Sequence, residues 1–82
     1  MENAVVIKYI GDYEKSIEQE YAFLDNKYGK GGWDYGIVSL INKDEKVYDK
    51  MDLHIKATGK TMDFYFDITE PYAELSNMFK EK

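Results

Sequence analysis

The apolar residues of this chain change their spacing once, and that change bounds what it can fold into. Between Asp12 and Tyr28 they recur at Tyr13, Ile17, Tyr21, Leu24 and Tyr28. Those intervals lay one stripe along a helix, with Asp12 as its cap and Gly29 as its stop. After Gly29-Lys30-Gly31-Gly32 the period becomes two. Trp33, Tyr35, Ile37 and Ile41 alternate with Asp34, Gly36, Val38 and Leu40. Val47, Met51, Leu53, Ile55 and Ala57 then alternate with Tyr48, Lys50, Asp52, His54, Lys56 and Thr58, and Met62, Phe64, Phe66 and Ile68 with Thr61, Asp63, Tyr65 and Asp67. Each run predicts a strand with one apolar face.

A β-branched segment, Ala4 to Ile10, predicts a first strand ahead of the helix. Thr69 or Glu70, followed by Pro71, opens a last short helix whose Tyr72, Leu75, Met78 and Phe79 can pack on the sheet. The order β-α-β-β-β-α over residues 1–82 predicts a single small α+β domain. It has a mostly antiparallel four-stranded sheet with both helices packed on one face. A right-handed crossover leaves two places for strand one, parallel to strand two or beside strand four.

Turn chemistry predicts the registers. With Gly59-Lys60 as a two-residue turn, Ile55 faces Phe64 and Leu53 faces Phe66 on the apolar face; Lys56 faces Asp63, His54 faces Tyr65 and Asp52 faces Asp67 on the other. With Asn42 to Lys46 as a polar loop, Asp34 lies beside His54, Gly36 beside Asp52 and Leu40 beside Tyr48. The outer face then has an acidic end, with Asp34, Asp52, His54, Tyr65 and Asp67, and an apolar corner of Val38, Leu40 and Tyr48. The corner, or an uncovered strand edge, is a candidate surface for homodimerisation.

Composition removes whole classes of chemistry. The chain has 82 residues, no cysteine and one histidine, which excludes disulfides, thiolate zinc sites, iron-sulfur clusters and a multi-histidine metal cage. A net charge of -5 opposes direct binding to nucleic acid or to anionic membranes. The run Ala4-Val5-Val6-Ile7 is too short for a membrane span or a signal-peptide core, so a cytoplasmic protein is expected. The order helix-strand-strand-strand-helix resembles that of double-stranded-RNA-binding domains. Their last helix opens with phosphate-binding lysines, whereas this one opens Thr69-Glu70-Pro71-Tyr72-Ala73-Glu74, so the likeness implies topology only. The glycines at 29–32 follow a helix rather than open one, which is the wrong order for a phosphate loop.

The acids are unevenly spread. Residues 11–28 hold five acids against two bases, -3 of the total -5. At about 100° per residue, Glu14, Glu18 and Asp25 share one narrow stripe beside Tyr21 and Tyr28. The helix dipole accounts for Asp12 and Glu14, which sit at its positive end, but not for Glu18 or Asp25. These features suit a non-enzymatic, cofactor-free binding protein: an acidic inhibitor, immunity or counter-defence factor that occupies a basic surface of another protein, including one that binds nucleic acid. Its contact residues would be Glu14, Glu18, Tyr21, Asp25 and Tyr28 on the helix, with Asp34, Asp52 and Asp67 on the sheet. The alternative is a metal-dependent hydrolase or ligand-binding site at Asp34, Asp52, His54 and Asp67, whose ligand types suit a divalent cation.

Overall fold

The computed structural model describes residues 4–80, with side chains as far as Leu75. The elements are β1 (Val5–Val6), α1 (Tyr13–Tyr28), β2 (Trp33–Lys43), β3 (Lys46–Ile55), β4 (Lys60–Asp67) and α2 (Thr69–Lys80). They form one mixed sheet in the order β1-β4-β3-β2, with β1 parallel to β4 and the other pairs antiparallel. Strand one therefore takes the place beside strand four. That leaves β2 as the long edge strand on the other side.

Local chemistry sets the helix ends. The Asp12 carboxylate accepts the Lys15 N–H at 3.2 Å, and the Gly29 N–H donates to the Asp25 carbonyl at 2.8 Å. Buried Ser16 accepts the Ile10 N–H at 2.9 Å and donates to the Asp12 carbonyl at 2.7 Å. The Gln19 amide donates to the Lys8 carbonyl at 2.6 Å, and the Tyr9 N–H donates to Glu70 Oε1 at 2.7 Å. These bonds explain why β1 spans two residues rather than Ala4 to Ile10. Backbone groups from Lys8 to Ile10 are satisfied by helix side chains, not by a strand ladder.

One face of the sheet meets the helices. Leu24, Met51, Leu53, Phe66 and Ile68 are fully enclosed there, joined by Ile7 and Ile55. Phe23 of α1 meets Phe66 edge-on at 6.1 Å between ring centroids, and Tyr72 of α2 packs against the same cluster. Met78 and Phe79, also expected to pack, lie outside the described side chains. No helix among the described residues is long and apolar enough to cross a membrane.

The predicted β3-β4 register is corrected throughout, whereas the β2-β3 register holds from Asp34 opposite His54 to Gly36 opposite Asp52 and differs only beyond. Ile55 pairs with Lys60, so the β3-β4 loop is the four-residue stretch Lys56-Ala57-Thr58-Gly59. Gly59 ends this loop rather than starting a two-residue one: its φ is +70°, and its N–H donates to the Ile55 carbonyl at 2.8 Å. A longer loop slides the pairing without changing faces. Leu53 meets Met62, Met51 meets Phe64, His54 meets Thr61 and Asp52 meets Asp63.

The β2-β3 turn is shorter than expected. Asp44 and Glu45 alone connect the strands, both in the left-handed region at φ 54° and 64°, as a type I′ hairpin requires. A β-bulge between Tyr35 and Val38 places Gly36 and Ile37 together opposite Asp52. One extra residue reverses the faces beyond it. Val38 pairs with Met51 and Leu40 with Asp49 on the helix side, whereas Ile37, Ser39 and Ile41 share the outer face with Tyr48. Tyr48 is also buried, 8% exposed. The proposed dimer corner of Val38, Leu40 and Tyr48 is thus split between two faces.

Candidate functional site

Glu14 and Glu18 are exposed and Asp25 is half-buried, and of the three Asp25 is the one bonded to β2. Helical geometry puts the three within an arc of about 40°. Beside them, Tyr21, Trp33 and Tyr35 form a three-ring platform. Tyr21 and Trp33 stack at 6.0 Å with planes 7° apart, Trp33 and Tyr35 at 6.1 Å and 26°. Burial, and then a side-chain hydrogen bond to Tyr35, push the Tyr21 hydroxyl up to about 12. The Trp33 indole N–H donates to Asp25 Oδ1 at 2.9 Å. That bond fastens the end of α1 to the start of β2 and fixes the direction of one carboxylate in the stripe. Tyr28 lies in the same helical row, and Lys27 Nζ sits 5.7 Å from its ring centroid, so one ring face already has a cation from its own chain.

The sheet acids assigned to the same contact point the other way. Asp34 does lie opposite His54, and His54 Nε2 is 3.6 Å from Asp52 Oδ2. Asp52 faces Asp63, whose Oδ2 is 3.6 Å from Lys50 Nζ. Each acid of this like-charge pair thus has a base beside it, and the exposed Lys50 pair contributes only about 0.2–1 kcal/mol. A shallow depression of about 300 Å³, lined by Ile37, Ser39, Lys50, Asp52 and Asp63, lies over the bulge. Asp67 is elsewhere. It pairs with Tyr48, six residues along β3 from His54 and so about 20 Å away. Its Oδ1 accepts the Thr69 N–H at 3.0 Å and the Thr69 hydroxyl at 2.6 Å, capping the start of α2. The quartet Asp34, Asp52, His54 and Asp67 is therefore not assembled. Among the described residues no three His, Asp or Glu side chains converge to hold a metal ion.

Two further carboxylic acids occupy the layer between helix and sheet. Glu20 is 1% exposed, and its Oε2 has no hydrogen-bond partner. Burial, and then a hydrogen bond to and the charge of Asp49, push its carboxyl up to about 9. Burial and the neighbouring Asp49 thus both favour the protonated form of Glu20. Tyr13 is raised by burial first, then by Asp49, Glu20 and Tyr72, so α1, β3 and α2 all contribute to this polar nest. Glu20 therefore adds little to the charge that the surface presents. The acid excess of α1 then rests on its exposed carboxylates.

The chain matches no known protein family, no curated protein and no solved structure.

Proposed function

We propose that this protein is a small acidic protein-binding module that inhibits a partner by occupying its basic surface, in the manner of an immunity or counter-defence factor. The observation carrying the proposal is the coincidence, on one flank, of the exposed Glu14 and Glu18, the oriented Asp25 and the Tyr21-Trp33-Tyr35 platform. Aromatic rings of this kind supply contact area at low entropic cost and hold cations over their faces, while the carboxylates steer a basic partner. A partner that binds nucleic acid fits the same chemistry, because spaced carboxylates can stand where phosphates would. Asp34, Asp52 and Asp67 lie on the opposite face of the sheet and do not belong to this contact.

The test is a triple variant, Glu14→Lys with Glu18→Lys and Asp25→Asn. Asparagine keeps an acceptor for the Trp33 N–H, so the fold is preserved. A partner captured by the intact protein should associate with the variant at least about tenfold more slowly, since exposed interface charges act mainly on the on-rate. Equal affinity and equal rates for the two proteins would refute the assignment.

A further inference from the structure

The long edge of the sheet adds a mode of engagement to that reading. Lys43 and Lys46 close the two-residue turn as a hydrogen-bonded pair, so Ser39, Ile41 and Lys43 direct their backbone groups to β3. Val38, Leu40 and Asn42 then direct theirs to the free edge. No other strand pairs with β2, and among the described residues no turn, loop or cap bond involves these three amides. Sheet edges are commonly blunted by charges and bulges. Here the bulge at Gly36-Ile37 lies ahead of the free amides, and beyond it the helix-side residues Val38, Leu40 and Asn42 carry no charge. Val38 and Leu40 are 43% and 47% exposed, and Ile37 on the other face is 73% exposed.

Resting on the proposed acidic docking role, we infer that β2 receives an extended segment of the partner as an added fifth strand, with basic side chains on the helix side. Main-chain bonding to the free amides of Val38, Leu40 and Asn42 would hold the segment. On the helix side, lysine or arginine stems would cover Val38 and Leu40 while their charged ends reach the carboxylates of Glu14, Glu18 and Asp25. On the outer side the alternate positions of the segment would meet Ile37 and Ile41, which favours apolar residues there. The occupant is thus an extended segment alternating basic and apolar residues.

The probe is a ten-residue peptide alternating lysine and valine, compared with one alternating glutamate and valine and with a lysine-valine peptide N-methylated at alternate residues. The expected result is binding of the plain lysine peptide alone, with slowed amide exchange at Val38, Leu40 and Asn42. Leu40→Pro, which removes a donor only at the free edge, should weaken binding at least about tenfold without lowering the melting temperature. If that variant fails to fold, the N-methylated peptide still decides. Equal binding of plain and N-methylated lysine peptides, abolished by the triple charge variant, would overturn strand addition and leave the acidic docking role standing. Equal binding of lysine and glutamate peptides would overturn both. Amides at the β2 edge already protected in a dimer of the free protein, seen by sedimentation, would overturn the partner segment in favour of a second copy.

Discussion

Glu20 occupies a place in the helix that the sequence marks as interior. It stands seven residues after Tyr13, three after Ile17 and four before Leu24, and so completes the apolar stripe rather than the acidic one. Asp49 likewise falls between Val47 and Met51 on the inward side of β3. Both acids were legible as polar residues in apolar slots. Reading the acids of α1 by their sum hid this, because a net charge of -3 does not distinguish a buried carboxyl from a wet one. The consequence is a pH dependence of known sign. The folded protein holds the Glu20 proton up to about pH 9, whereas the unfolded chain releases it near 4.5. Stability is therefore greatest on the acid side of this window and falls as pH rises through it, by at most about 1.4 kcal/mol per pH unit from this group. Glu20→Gln keeps a donor toward Asp49 but cannot ionise. Thermal melts between pH 5 and 9 should show the wild-type midpoint falling and the variant's nearly flat, with the variant the more stable at pH 8. Parallel curves for the two proteins would show that Glu20 is ionised in the fold.

At the scale of elements, periodicity located the helices and strands, and turn chemistry misjudged their pairing. Helix α1, its Asp12 cap and its Gly29 stop follow the sequence pattern, because each depends on residues within one turn of chain. Register depends on how many residues a loop consumes. Gly59 supplies a positive φ equally well at the first place of a two-residue loop and at the last of a four-residue one, so the pattern alone left Asp52 opposite the wrong aspartate. The bulge at Gly36-Ile37 was still less visible, because both strand faces there carry apolar residues. A related expectation concerns the Asp44-Glu45 turn, which holds two ordinary residues in a conformation suited to glycine or asparagine. Glu45→Gly should raise stability by about 1 kcal/mol, read as a higher urea midpoint with an unchanged slope. An unchanged or lower midpoint would mean that the turn is not strained at Glu45. Gly32 carries the opposite expectation. A Cβ there would run into the carbonyl oxygen of Tyr28, so Gly32→Ala should destabilise the link from α1 to β2 and lower the melting temperature.

Across the whole molecule, the sheet separates two sets of acids that composition had merged. One set lines an exposed stripe of α1, tied to the start of β2 through Asp25 and Trp33; the other lies on the uncovered face, where Lys50 and His54 stand beside it. Element order predicted the α+β class and the shared helix face, since two amphipathic helices and a half-apolar sheet have few other ways to bury their apolar surface. It did not choose the position of β1. Next to β4, the segment after β1 is held by side chains of both helices, Ser16, Gln19 and Glu70, which bond residues 8–10. We propose that the α1 flank, not the outer sheet face, meets a cationic partner. The most direct measurement is an amide-resonance titration of the labelled protein with a pentalysine peptide at low ionic strength. Shifts are expected to concentrate at Glu14, Glu18, Tyr21, Asp25 and the β2 edge. Shifts concentrated instead at Asp34, Asp52 and Asp63, or spread evenly over every exposed acid, would contradict the proposal.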